Sequence, residues 1–144
     1  MATGIQIVFD CADPARLGSF WAAALHYKEQ DPPPGFDRWP DWLKAQGIPE
    51  SDWNSANAVV DPAGAGPRIY FQRVPEGKVV KNRLHLDLNV GGGRSVSLEE
   101  RRRRVDDEVK RLLALGATKA RAREERGEYF VNMHDPEGNE FDLQ

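Results

Sequence analysis

Only one cysteine, Cys11, occurs in the 144 residues. An internal disulfide and a thiolate cluster for zinc are therefore both excluded as ways of holding the fold together. Cys11 also has no basic activator near it in sequence, and a small inert residue at a strand end is the better reading. Long apolar runs are missing too. Nothing approaches the roughly 18 to 20 consecutive apolar residues of a membrane-spanning helix, and the opening Met1 to Asp10 has neither a basic patch nor a secretory-type apolar stretch. A cytoplasmic protein with no membrane partner is expected. Nor does one sign of charge dominate: 20 basic against 23 acidic side chains leave a net charge of −3. That is poor material for counterion-driven binding, so no nucleic-acid partner is expected. Disorder is excluded by the opposite argument, because a chain of this length buries roughly 70% of its unfolded surface and can build a core.

What is present is periodic. Ile5, Ile7 and Phe9 alternate with Gln6, Val8 and Asp10, the period of two of a strand over Gly4 to Cys11. Asp13-Pro14 then offers an N-cap and a first-turn proline to a helix that repeats Leu17, Phe20, Trp21, Ala24 and Leu25. A short strand is expected in Tyr27 to Asp31, before the Pro32-Pro33-Pro34-Gly35 stop. Residues 32–52 read as an inserted, partly helical excursion, and Trp39, Trp42 and Trp53 cluster in and just after it. Strands follow at Asn57 to Val60 and Arg68 to Val74, separated by the turn Asp61-Pro62-Ala63-Gly64. Leu84, Leu86 and Leu88 alternate with His85, Asp87 and Asn89, a strand with one wholly polar face. Ser97 and Glu100 form a capping box for a helix with a Val105, Val109, Leu112, Leu113 stripe, which Gly116 can end. Thr118 to Arg123, Glu128 to Met133 and Asn139 to Leu143 complete the strands, the last after Asp135-Pro136-Glu137-Gly138.

The second half repeats the first: alternating strand, polar loop, amphipathic helix, then strands that include a D-P-x-G turn. Setting Ile5 on Leu84 puts Gln6 on His85 and Asp10 on Asn89, and the two D-P-x-G turns coincide. With an allowance for extra turn residues, Gln72 falls on Asp142. The expected fold class is α+β: two tandem βαβββ modules, 1–80 and 81–144, forming one curled mixed sheet, a cup, with the helices on its outer face. The expected site is the seam where His85 meets Gln6 and Asp142 meets Gln72.

This order of motifs resembles the vicinal oxygen chelate superfamily (glyoxalase, bleomycin resistance and ring-cleaving dioxygenase proteins), and especially its glyoxalase-like branch. The matching residues are Asp13-Pro14 with Phe20 to Leu25, Ile69 to Glu76, Lys81 to Leu88, and Asp135 to Phe141. The resemblance covers nearly the whole 1–144 as a single glyoxalase-like domain, apart from residues 32–52. It implies a small-molecule ligand, a homodimer and, in the metal-dependent members, a divalent metal at four strand positions. Those positions fall here on Gln6, Gln72, His85 and Asp142. Two amides, one imidazole and one aspartate replace the histidines and glutamates of the lactoylglutathione lyases, a weaker set for any divalent ion. An iron site of the ring-cleaving dioxygenases needs a second histidine at these positions and is not supported.

Two arrangements follow for the site. In one, a divalent metal is held by Gln6, Gln72, His85 and Asp142 and polarises paired substrate oxygens. In the other, the pocket is metal-free, His85 and Asp142 are the catalytic pair, and Asp10, Asp87 or Asp142 orients the imidazole. Gln6, Asp10, Tyr70, Gln72 and Asp87 are ligand-binding candidates in either case, although Asp87 with Asn89 also suits simple ties across the sheet. Trp39, Trp42 and Trp53 join them as flat walls for a planar ligand, with a covered sheet edge or a dimer contact as the other uses of tryptophan there. The functions left open are a lyase- or isomerase-like enzyme, non-catalytic sequestration of an aromatic drug-like metabolite of the bleomycin resistance kind, and a ligand-free dimeric scaffold. Arg101 to Arg104 reads as a salt-bridged helix face, Gly91-Gly92-Gly93 as a flexible connection, and His26 and His134 as surface or capping residues.

Overall fold

Asp13 and Pro14 open helix α1 (Pro14–Leu25) by the route the sequence predicts: Asp13 Oδ1 accepts the backbone N–H of Arg16 at 3.2 Å, and the proline sits in the first turn. The computed structural model describes all residues 1–144 and divides them into two compact units, Met1–Gly77 and Lys78–Gln144. In the first unit α1 follows strand β1 (Ile7–Cys11) and precedes β2 (Lys28–Glu29), a short helix α2 (Trp39–Ala45), a single 3-10 turn at Glu50–Asp52, β3 (Ala56–Val60) and β4 (Ile69–Arg73). Its sheet runs β1-β4-β3-β2, with β1 parallel to β4 and the other pairs antiparallel. Leu17, Phe20, Trp21 and Ala24 bury the inner side of α1 among Val59, Ile69 and Phe71. Phe9 adds ring contacts to Trp21 at 5.2 Å and to Phe71 at 5.5 Å.

The second unit repeats the plan with β5 (Leu86–Leu88), α3 (Leu98–Ala114), β6 (Thr118–Glu125), β7 (Glu128–His134) and β8 (Glu140–Leu143). Its order, β5-β8-β7-β6, is the same topology, again with one parallel pair. Val105, Val109 and Leu112 of α3 are buried with Val131, Met133, Phe141 and Leu143. Ser97 caps α3 by accepting the N–H of Glu100 at 3.2 Å. The reciprocal half of the capping box does not form, because the Glu100 carboxylate pairs with Arg103 and Arg104 instead. Both modules are thus α+β units in which one long helix covers one face of a mixed four-stranded sheet.

Two expectations shift. Strands predicted from Gly4 and Leu84 begin at Ile7 and Leu86, and Ile5 and Leu84 are 75% and 71% exposed. Their partner strands β4 and β8 start only after turns, so residues upstream of Ile7 and Leu86 have no ladder to join. The internal alignment shifts as well. Tyr70 is the ladder partner of both Val8 and Ala58, and Asp142 is the partner of both Asp87 and Asn132. Val60 and His134 each precede a D-P-x-G turn directly. Both ladders therefore make Tyr70, not Gln72, the counterpart of Asp142. The connection 61–68 is longer than 135–139, and spacing along the sequence does not show where its added length lies.

Candidate functional site

In the second unit His85 lies just ahead of β5, Asp87 on β5 and Asp142 on the adjoining β8, as a direct register pair with Asp87. This brings an imidazole and two carboxylates together. His85 Nε2 stands 3.2 Å from Asp87 Oδ1 and 3.8 Å from Asp142 Oδ2, and one ligand atom from each residue falls within 4.8 Å of the others. Asn132, opposite Asp142 on β7, donates its Nδ2 to Asp142 Oδ1 at 2.6 Å, which turns the second oxygen toward His85. A cavity of about 350 Å³ is lined by His85, Asp142, Asn132, Lys81, Arg121 and His134, among others, while Asp87 closes the cluster from outside that lining.

The neighbouring Glu140 holds the approach segment in place. Burial pulls its carboxyl upward, but the backbone N–H of Asn82 at 2.9 Å and the ammonium of Lys78 at 3.0 Å outweigh that and hold it at about 2. The segment leading to His85 is thereby tied to β8 by an ionised carboxylate.

One imidazole with two carboxylates is a donor set that divalent first-row ions accept. His85, Asp87 and Asp142 would together hold such an ion, each offering one ligand atom within 4.8 Å of the others. The residues present fit a divalent cation. They equally form an acid/base cluster, with the imidazole 3.2 Å from one carboxylate and 3.8 Å from the other.

The corresponding positions of the first unit carry different chemistry. Gln6, the counterpart of His85, presents its Oε1 to Arg68 Nη1 at 2.7 Å, and the Arg68 guanidinium lies 5.3 Å from the centre of the Tyr70 ring. Arg68 Nε donates to Gln30 Oε1 at 2.6 Å. A built-in cation is therefore held against Gln6 and Tyr70. Asp10 and Gln72 pair in the β1–β4 ladder with exposed side chains, and the Gln72 carbonyl accepts from the Cys11 thiol at 3.6 Å. Neither residue lines the cavity beside His85 or the tryptophan-walled cavity of the first unit.

Trp39, Trp42, Trp53 and Tyr70 do come together. With Arg68 and residues of β3 they line a cavity of about 570 Å³. Trp39 Nε1 donates to the Gln30 carbonyl at 2.7 Å and Trp53 Nε1 to the Ile48 carbonyl at 2.9 Å, which fixes both rings by their polar edges. Trp39 and Trp42 meet edge to face, with centroids 5.6 Å apart. The excursion supplies these walls through α2 and the 3-10 turn.

Sequence reasoning missed Arg68, Asn132 and Glu140. Arg68 sits two residues before Tyr70 and so shares its strand face, a signal that was legible. Asn132 and Glu140 gain their roles only from the β7–β8 register and from the chain segment folded against it.

The family description "Glyoxalase-like domain" matches residues 6–144. No curated protein matches the chain. Among solved structures, a fosfomycin resistance protein FosX from Listeria monocytogenes, in complex with Mn(II) and 1S,2S-dihydroxypropylphosphonic acid, is similar with a TM-score of 0.63 and 16% identity, over 100% of this chain and 92% of that one. A glyoxalase/bleomycin resistance protein/dioxygenase family enzyme from Burkholderia phytofirmans PsJN gives 0.61 and 16%, over 96% and 94%. The FosX of Mesorhizobium loti gives 0.59 and 11%, over 99% and 92%. At these identities the solved structures establish the fold, and the match over residues 6–144 places the chain in the glyoxalase-like domain family.

Proposed function

We propose that this is a small-molecule enzyme of the lyase or isomerase kind whose chemistry centres on His85, Asp87 and Asp142. The observation that carries the reading is the convergence of one imidazole and two carboxylates beside a cavity that also holds Lys81 and Arg121. A divalent metal, when bound by His85, Asp87 and Asp142, supplies Lewis-acid polarisation of substrate oxygens. Asn132 fixes Asp142 so that one oxygen always faces the cluster. The other oxygen of Asp87 stays available to take a proton from the substrate. Lys81 and Arg121, with no carboxylate partner in the structure, attract an oxyanion on the substrate. In the metal-free form His85 Nε2 takes the proton, with Asp87 and Asp142 orienting the imidazole. Weak metal dependence follows, since the same three side chains serve both forms.

Manganese binding tests the reading. Added to untagged protein, Mn(II) should lose its free-ion electron spin resonance signal and raise the melting temperature, and both effects should vanish in His85→Gln and Asp142→Asn. An undiminished free-ion signal with no thermal shift from any divalent ion removes the metal-bound form.

A second reading, binding or sequestration of an aromatic metabolite without catalysis, is favoured by the tryptophan-walled cavity of the first unit. Saturable heats of binding from planar compounds support it, and their absence removes it. We also propose a homodimer, on the strength of the exposed apolar residues Val79, Val80 and Leu84. Light scattering at the mass of a single chain would exclude it.

A further inference from the structure

We infer that the cavity of the first unit selects planar aromatic molecules that carry a negative group, and that Arg68 is the residue that binds that group. The inference deepens the second reading above and rests on it. The cavity, about 570 Å³, has the size of ordinary small-molecule sites. Two of its tryptophans, Trp39 and Trp53, are fixed by N–H bonds on their edges, and rigid aromatic walls of this kind suit a flat ring system.

Arg68 supplies the charge selection. Its Nε and Nη1 are used by Gln30 and Gln6, two neutral amide oxygens that orient the guanidinium without neutralising it. Its face lies over Tyr70, and no carboxylate stands within ion-pair distance of it. Of the two acids that share the lining, Asp52 has a counter-ion in Arg73 at 3.7 Å, and Glu29 is held by the Asn57 amide, whose Nδ2 donates to it at 2.8 Å. The internal repeat sharpens the contrast. Register makes Glu140 the counterpart of Arg68, and Glu140 has its own counter-ion in Lys78 at 3.0 Å. The half-buried guanidinium of the first unit has none, and its Nη2 remains for a ligand. A half-buried cation beside aromatic walls is matched by a carboxylate or similar anion on a flat hydrophobic body.

Calorimetry on the full chain with three matched probes tests this: 2-naphthoate, 2-naphthalenemethanol and 2-naphthylmethylammonium. The naphthoate should bind at least about tenfold more tightly than the alcohol, with a preference that shrinks as sodium chloride is raised. Arg68→Gln should bring naphthoate down to the alcohol, whose own affinity is kept, and Arg68→Lys should retain part of the preference. Equal binding of naphthoate and alcohol to the wild type overturns the inference but leaves the aromatic-binding reading standing. Tightest binding of the ammonium does the same, and points instead to a cation held by the indoles with Glu29 and Asp52. No binding of any probe removes both. Should Arg68→Gln fail to fold, the wild-type probe ranking and its salt dependence still decide the outcome.

Discussion

Asn132 takes one oxygen of Asp142 and leaves the other for the cluster at His85, so one side chain sets the direction of another. Asn132→Ala should weaken Mn(II) binding by roughly 10- to 100-fold, the usual effect of losing a partner that orients a ligand, while far-ultraviolet dichroism stays unchanged. Unaltered affinity in that variant would show that Asp142 needs no orienting bond. Tyr129 offers a different residue-scale test. Burial first, and then its bond to Asp106 at 2.6 Å, push its hydroxyl from the ordinary 10 up to about 12. A folded value above the unfolded one means that the contribution is present in full below pH 10 and is lost as pH rises through about 12. The melting-temperature gap between wild type and Tyr129→Phe should therefore be constant below pH 10 and narrow above it. A gap that widens at high pH would contradict this sign.

At the scale of elements, α1 shows tertiary packing overriding local preference. Gly18 is a poor helix residue, and alanine there should improve helix propensity by up to about 1 kcal/mol. Yet a Cβ at Gly18 would lie 2.4 Å from Asn57 Oδ1, and Asn57 is held by its bond to Glu29. Gly18→Ala should therefore destabilise by about 1 to 3 kcal/mol in urea unfolding. A gain in stability would mean that Asn57 moves freely. The other end of the same helix behaves differently. His26 adopts φ +58° in the left-handed region while Tyr27 N–H closes the end on the Ala22 carbonyl at 2.8 Å. His26→Gly should relieve that backbone cost and stabilise by about 0.5 to 1 kcal/mol. Unchanged or lowered stability would argue that the imidazole earns its place through another contact. The long helices α1 and α3 and the strands β1, β4, β5 and β8 were legible as periodic patterns, because burial of one face imposes a period of 3.6 or 2 on the sequence itself. Strand starts were less legible, since Ile5 and Leu84 have the right residue type but no partner strand beside them.

For the molecule as a whole, the lone cysteine becomes a reporter. Cys11 is 4% exposed on β1, with its thiol toward the Gln72 carbonyl. Labelling by a thiol–disulfide reagent should follow the opening of the first unit and rise with denaturant along the unfolding curve, and reductant should leave the melting temperature unchanged. Immediate labelling of the native protein would place the thiol at the surface. The residue order alone determined the α+β class, the two βαβββ modules, the caps at Asp13 and Ser97 and the clustering of tryptophans, since each depends on spacing along a short stretch of chain. It also singled out His85, Asp87 and Asp142 as chemically active types. Only the tertiary structure decided who faces whom. Ladder register, set by the longer connection 61–68, puts Tyr70 rather than Gln72 at the place of Asp142, and it lays Arg68 over that ring. Spacing cannot reveal this, because a register shift of two residues preserves the inward and outward alternation that the sequence records, while replacing the side chains that meet.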